Sequence, residues 1–399
     1  MPRGGQGPRA RNRLRQTTWI LAAVLVSGAS CSGVSNSHDS GNPQVPAPSG
    51  DRRVVLTAQP IAFVPSSIDF TGAADVTKAL QAFIDNTDNG SIVRFHKNGR
   101  YRVEGTLFVT NKTLTFDGQN ATIFATTAGT LERSQWWITG GGGIIFRNMI
   151  VHGANPHAGL ADNAYDPKRE KQHGFRIEGV DGIELSHVTV TDVYGDFVYV
   201  ARFVEEPSTN VWIHDSTFAR NGRQGISLIA ATGVIIERNT FTDTRRGTID
   251  LEPNGPNQSV STVFLLNNTI GAGRLFFIAS HGKGPVNDIV ISGNHLHKHL
   301  MTIDVVPPVG ERRQNWIVTN NTSDSTANTR PIRWVNTDGL LVTGNSQKVV
   351  VTQPSVELTN VCGAKVANNA FGTKLVSVHG PTCNATLVVP KQPAIPGRS

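Results

Sequence analysis

The sequence predicts an all-β protein built as a β-solenoid, and two observations carry that prediction. The first is a pattern that recurs along most of the chain: apolar, any, apolar, any, any, Asn-like, any, apolar. It reads Val211-x-Ile213-x-x-Ser216-x-Phe218, Val234-x-Ile236-x-x-Asn239-x-Phe241, Val263-x-Leu265-x-x-Asn268-x-Ile270 and Ile289-x-Ile291-x-x-Asn294-x-Leu296. It continues through Trp316-x-Val318-x-x-Asn321, Leu340-x-Val342-x-x-Asn345 and Ala364-x-Val366-x-x-Asn369-x-Phe371, while copies without the Asn begin at Ile144 and Ile183. From Ile183 to Ala364 the units start 23 to 29 residues apart. Alternation followed by a polar bend describes a short strand and a turn, and a coil this thin buries its apolar face only by stacking on the next. An Asn at the same bend of successive coils is expected to form a hydrogen-bonded ladder. The second observation is composition: 40 glycines and 17% charged residues in 399 positions suit a turn-rich, all-β extracellular protein better than a helical one.

The net charge of +7 does not argue for nucleic acid. Residues 1–30 hold five arginines (Arg3, Arg9, Arg11, Arg13, Arg15) and no acid, so the remainder carries 32 basic against 30 acidic groups, a net of +2. The basic pI therefore reports a targeting segment rather than a phosphate-binding face. Its basic start, apolar run "TTWILAAVLVSGAS" and small residues before Cys31 have the parts of a secretory signal. Gly28-Ala29-Ser30-Cys31 resembles a bacterial lipobox, which implies lipidation of Cys31 and a membrane contact through a lipid anchor only. Residues 31–57 open as a Ser/Gly/Pro/Asn tract with almost no apolar residue and are expected to be a flexible tether.

The folded domain is expected over 58–385, with an N-terminal cap and first coils at 58–125, repeated coils at 126–385 and a disordered tail at 386–399. Ala73–Asp85 shows helical spacing at Val76, Ala79, Leu80, Phe83 and Ile84, with Asp75 placed to cap its start. Between the coils starting at Ile144 and Ile183 an insert lengthens the unit to 39 residues and brings His157, Tyr165, Asp166, Lys168, Arg169, Lys171 and His173. A long loop on a solenoid lies against a face and shapes its groove. With Cys31 set aside, Cys362 and Cys383 form an even pair, expected to be a disulfide in an exported protein. No Cys/His spacing suggests zinc.

The helix "ADVTKALQAFID" followed by "GSIVRFHKNGRYRV" and the stacked repeats resemble right-handed parallel β-helix proteins of the pectate-lyase-like superfamily. The resemblance implies that the helix plugs the open N-terminal end of the core. It implies a fold shared by hydrolases, lyases, epimerases and non-enzymatic spikes, so chemistry has to come from the site.

Each coil has a second strand after its Asn bend, and these strands align by counting. Val198, Ile226, Ile249, Ile278, Ile303 and Ile332 take an inward phase, and alternation sends Tyr199, Ser227, Asp250, Ala279, Asp304 and Arg333 outward. Two positions beyond lie Ala201, Ile229, Glu252 and His281, with Lys283 after them and Arg223 and Arg246 at the preceding bends. A solvated face would be mixed and even; here Asp250, Glu252, His281 and Asp304 gather within three coils. Residues i and i+2 of a strand have Cα atoms about 6.5–7 Å apart, which suits two carboxyls sharing a glycosidic bond in either stereochemical course. Asp250, Glu252, His281 and Asp304 are thus the catalytic candidates, and Tyr199, Arg223, Arg246, Lys283, Arg333 and His173 the substrate-binding ones.

The order "GTIDLE", "SHGKG", "RPIRW" resembles polygalacturonase-type hydrolases, which implies Asp250 as a catalytic acid, His281 as the site histidine and Arg333 as the basic residue. The family's Asp doublet and the Gly before the His are absent here. The leading expectation is a polysaccharide-cleaving hydrolase acting as a monomer without a cofactor. A lyase or C5 epimerase would use the cations on a uronic acid with His281 or Tyr199 moving the proton, and a glycan-binding surface protein is the non-catalytic alternative. Calcium on Asp250, Glu252 and Asp304 is the metal alternative. Trp136, Trp137, Trp212 and Trp334 are candidate sugar platforms, whereas Trp316 sits at an apolar repeat position.

Overall fold

In the computed structural model the described residues are 59–393, apart from 256, 300, 326–331, 349–355, 372–375 and 381–382. The expected signal at 1–30, Cys31, the tether at 31–57 and residues 394–399 lie outside them. Every strand pairing between named strands is parallel, and each coil contributes to three ladders. One coil shows the scheme: a first strand Ala231–Glu237, a second Thr240–Thr242 and a third Ile249–Leu251. These pair with Val260–Leu266, Thr269–Ile270 and Ile278–Ser280 of the next coil. Inward side chains stack in register, as in Phe218 on Phe241 with ring centroids 5.0 Å apart. Trp136, Trp316 and Trp334 are fully buried in this core, so these three indoles are not sugar platforms.

The bend between first and second strands has a repeated cause. The residue before each Asn-like position has positive φ: Asp215, Arg238, Asn267, Gly293, Asn320, Gly344 and Asn368. Asn and Asp tolerate the left-handed region and Gly has no Cβ to oppose it. At Gly293 a Cβ would sit 2.3 Å from Asn267 Oδ1, so any larger residue there would have to displace that side chain. The turn then presents the next Asn inward, where the expected ladder forms. Asn239 Nδ2 donates to Asn268 Oδ1 at 3.1 Å, Asn268 to Asn294 at 2.9 Å, Asn294 to Asn321 at 2.8 Å, Asn321 to Asn345 at 2.9 Å and Asn345 to Asn369 at 2.9 Å.

The helix is shorter than its spacing suggested. Ala73–Asp75 belong to the strand Thr71–Asp75, and the helix runs Thr77–Asp85. Asp75 Oδ1 accepts the Thr77 amide at 3.0 Å and its hydroxyl at 2.6 Å, ending the strand and starting the helix together. Val76, Leu80 and Ile84 are buried in the main core, whereas Ala79 faces outward. The helix packs on Leu107–Thr110, the first strand of the third ladder. Gln81 bridges that strand's edge, accepting from the Phe108 amide at 2.7 Å and donating to its carbonyl at 3.0 Å. A side-chain amide thus pairs backbone groups that the edge of a sheet leaves open. Lys112 Nζ closes the far end on the carbonyls of Asp85 and Thr87, each at 2.8 Å. Leu80→Ala is expected to cost about 2–5 kcal/mol, read as a lower urea midpoint with an unchanged slope.

Cys362 and Cys383 are disulfide-bonded, with Cα atoms 4.6 Å apart. The chain then turns back along the solenoid. Ala385 lies against Gly363, Leu387 against Gly339, and Pro393 against Gly233, while the Val388 amide donates to Asn315 Oδ1 at 3.4 Å. Residues 386–393 of the expected tail therefore run along the coils. Among the described residues no helix is long and apolar enough to cross a membrane.

Candidate active site on the third ladder

The row that counting placed on the second strand of each coil lies on the third ladder, because a short strand such as Thr240–Thr242 forms directly after the Asn bend. Tyr199 pairs with Ser227, Ser227 with Asp250, Asp250 with Ala279, Ala279 with Asp304, and Asp304 with Arg333. The inward partners Val198, Ile226, Ile249, Ile278, Ile303 and Ile332 are buried in the core. Because the side-chain period is two, this register fixes which face every residue of the row serves.

Outward does not mean open. Asp250 is 3% exposed, with Gln224 Nε2 donating to its Oδ2 at 2.8 Å. Gln224 Oε1 in turn accepts the Gly247 amide at 2.6 Å, so the clamp is tied to the bend before Asp250's own strand. Burial, then the negative charges of Glu252 and Asp196, push the Asp250 carboxyl up to about 7. Removing water penalises the charged form, and like charges nearby add to the penalty. Glu252 is half-buried and lies 3.9 Å from Arg223.

Arg223 holds this side together. It donates to both oxygens of the fully buried Asp196 at 3.1 and 2.8 Å and comes within 3.5 Å of Glu170. Burial pushes the Asp196 carboxyl up against the pull of Arg223. His173 is buried too, and its Nδ1 accepts the Asp196 amide at 3.0 Å, which leaves the ring proton on Nε2. Burial, followed by the positive charges around it, holds this imidazole well below its ordinary range, so it is neutral. Its ring stacks on Tyr199 at 4.7 Å, and burial pushes the Tyr199 phenol up to about 12. Arg176 lies 3.8 Å from the centre of the Trp137 ring and pairs with Glu178. Trp137 thus presents its face to a guanidinium, and Trp212 is buried on another ladder beneath His214.

The other side is organised around Asp304. Arg333 donates to its two oxygens at 2.7 and 3.1 Å, and His281 Nε2 lies 2.8 Å from Oδ2. Burial alone would raise this carboxyl, but the hydrogen bonds from His281 and Arg333 outweigh it and hold it below the usual range. Asp304 is therefore engaged at both oxygens, and orients His281 and Arg333. Three calcium ligands from Asp250, Glu252 and Asp304 would require those two partners to leave, and would require full ionisation of Asp250, whose carboxyl burial raises to about 7.

The insert lies across these coils. Arg245 Nε donates to the Ala161 carbonyl at 2.9 Å and Arg274 Nη1 to that of Leu160 at 3.0 Å. Arg274 also pairs with Asp162, and Tyr165 donates to Glu170 at 2.7 Å. The Arg246 guanidinium sits over the Tyr165 ring, 5.4 Å from the centroid. Counting along the strand missed this because the ring comes from a loop some 80 residues earlier in the chain. The loop forms one wall of a groove of about 200 Å³ lined by Glu170, Lys171, His173, Arg176, Tyr199, Arg223, Ile229 and Asn254. This groove reaches Asn254, two residues after Glu252. Lys283 is exposed on the loop after His281.

Gln224 and Arg313 carry no local signal of their roles. Arg313, in the charged stretch "ERRQN", is fully buried. It donates to Ser280 Oγ at 3.3 Å, the Gly284 carbonyl at 2.8 Å and the Gly282 carbonyl, and burial pushes its guanidinium down to about 10. The Gly284 amide donates to the Pro253 carbonyl at 3.0 Å, and a Cβ at Gly282 would lie 2.5 Å from that same oxygen. "SHGKG" is thus a tight clasp that joins the His281 loop to the loop after Glu252.

These features define a parallel β-solenoid with a buried acid cluster and a flanking groove on the outer wall of its third ladder. The chain belongs to the family described as right handed beta helix region, which matches residues 83–322 and 206–378. No curated protein matches the chain. Among solved structures it is similar to PfbA, a surface adhesin of Streptococcus pneumoniae, at 15% identity, TM-score 0.58, covering 75% of this chain and 83% of that one. It is similar to the family 28 exopolygalacturonase of Yersinia enterocolitica at 14% identity and TM-score 0.57, covering 83% and 79%. It is also similar to an endo-xylogalacturonan hydrolase from Aspergillus tubingensis at 12% identity and TM-score 0.59, covering 82% and 99%. The pectate-lyase-like resemblance in the sequence therefore holds for the fold.

Proposed function

We propose that this chain acts on a polysaccharide laid along the third ladder, and that it cleaves it by carboxylate acid–base hydrolysis. The observation that carries this reading is the Asp250 carboxyl, raised to about 7 beside Glu252 on the same strand end. A carboxyl that keeps its proton and a second carboxyl beside it divide the work of glycoside hydrolysis. Asp250 gives its proton to the glycosidic oxygen as the bond breaks. Glu252 takes a proton from the attacking water or attacks the sugar carbon itself. His281, oriented by Asp304, flanks the pair, and the groove beside Arg223 and Tyr199 seats the neighbouring sugar.

The similar solved structures include an exopolygalacturonase, an endo-xylogalacturonan hydrolase and a surface adhesin. A glycan-binding surface protein is the second reading, favoured by the 3% exposure of Asp250. Elimination has less support, because Arg223 and Arg333 are already paired with Asp196 and Asp304. The reading includes export, supported by the arginine-rich start of the sequence and by the disulfide. It also includes lipidation of Cys31, a monomeric chain, no nucleic-acid partner and the helix Thr77–Asp85 as the plug of the N-terminal end.

A panel of plant and bacterial polysaccharides, with and without a chelator, tests this. Release of reducing ends without ultraviolet absorbance from an unsaturated product is the expected result. Absorbance would move the assignment to elimination, and loss of activity in chelator would restore calcium. Glycan binding with no product of either kind sinks the catalytic reading.

A further inference from the structure

Outside the third ladder, the stretch Asn294-His295-Leu296-His297-Lys298-His299 brings imidazoles together on the second one. Leu296 points into the core and is fully buried, so alternation sends His295 and His297 to the outer face. The next coil pairs Thr322 with His295 and Ser323 with Leu296, which puts Asp324 opposite His297. The carboxylate is fixed there: its Oδ1 accepts the Lys298 amide at 2.9 Å, and its own amide donates to the Leu296 carbonyl at 3.0 Å. Oδ2 then faces both rings, 2.6 Å from His297 Nδ1 and 4.0 Å from His295 Nε2.

A surface His–Asp hydrogen bond alone would explain His297 and Asp324. It does not explain His295. That ring is held through Nδ1 by Thr322 Oγ1 at 2.8 Å, leaving Nε2 aimed at the same carboxylate oxygen. An imidazole fixed through one nitrogen by an oxygen, with the other nitrogen converging on a carboxylate, is the outer-shell arrangement of metal-ligating histidines. Among the described residues this is the group of three whose ligand atoms lie within 4.8 Å of one another. Bonds of about 2.0–2.1 Å to a common ion need a closure of roughly 1 Å, which exposed side chains make by small χ rotations.

We propose that His295, His297 and Asp324 bind one divalent transition-metal ion, of the zinc or copper type, bridging two successive coils. Two imidazoles and one carboxylate select such ions over calcium or magnesium, which prefer all-oxygen shells. Three protein ligands leave at least one position for water or an anion. Because the ligands come from neighbouring coils, the bound ion staples them, and metal that binds only the folded chain raises its melting temperature.

Titration calorimetry of the untagged full chain with ZnCl2, and electron paramagnetic resonance with Cu²⁺, read the site directly. The expected result is one ion per chain, nitrogen coupling in the copper spectrum and a melting temperature that rises with added zinc. His297→Ala and Asp324→Asn are expected to lose the site. Thr322→Val keeps all three ligands and is expected to weaken binding about 10-fold or more through His295 alone. No binding by the native chain, or unchanged binding in the His295→Ala/His297→Ala double variant with native circular dichroism, overturns the proposal.

Discussion

Asp250→Asn is expected to lower turnover by about 10²–10⁴-fold, the range of a lost general acid, while making the protein more stable at pH 8. The sign follows from linkage. The folded-state carboxyl is raised from 3.8 to about 7, so the native state holds a proton that the unfolded chain gives up. Its contribution is present in full below about 3.8 and is lost as pH rises through about 7. A shift of about three pKa units corresponds to roughly 4 kcal/mol as an upper figure. Asn keeps an acceptor for Gln224 and removes the charge that repels Glu252 and Asp196. Thermal melts of both proteins from pH 4 to 8 should therefore diverge as pH rises, with the variant ahead by a few degrees at the top. A site that loses activity and gains stability on the same substitution is one whose strain serves function. Full turnover in Asp250→Asn would make Asp250 a structural acid and return the protein to the binding reading. On the acid assignment, activity of the native chain should also decline above about pH 7 as Asp250 ionises.

Asn294→Ala is expected to cost about 3–6 kcal/mol. Asn294 is fully buried. Its Oδ1 accepts the amide and the side-chain nitrogen of Asn268, each at 2.9 Å, and its Nδ2 donates to the Leu265 carbonyl at 2.9 Å and to Asn321 at 2.8 Å. Alanine strands several of these buried groups, and each costs about 1–3 kcal/mol when left without a partner. Asn369, partly buried at the C-terminal end of the ladder, should cost about half as much when changed to Ala. Urea unfolding separates the outcomes, because breaking a central contact in a stack of coils lowers cooperativity as well as stability. Equal costs at the two positions would mean that the ladder adds nothing beyond one bend each.

The helix, the repeat and the third-ladder row were all legible from residue type and spacing, but to different depths. Counting placed Tyr199, Ser227, Asp250, Ala279, Asp304 and Arg333 on one line, because a two-residue period and a recurring bend leave a single register. It placed the helix near Val76 to Ile84 and misjudged its first turn, where Asp75 ends a strand before it starts a helix. It paired Cys362 with Cys383 by elimination. It could not see that Arg246 sits over the Tyr165 ring, that Arg313 lies buried beneath the His281 loop, or that Asp324 meets two histidines of the preceding coil.

The sequence by itself determined the solenoid, its inward and outward faces, and the identity of the acids on the outer wall, because alternation and bend chemistry are local and repeat in fixed phase. Only the tertiary structure decided which of those acids is neutral and which is paired. That depends on water exclusion and on charges brought from elsewhere: Arg333 sits 29 residues from Asp304, Gln224 26 residues from Asp250, and the insert 84 residues from Arg245. A carboxyl's proton affinity is set by its neighbours in space, and the same Asp in an outward strand position is a solvated surface acid or a buried proton donor according to what folds over it.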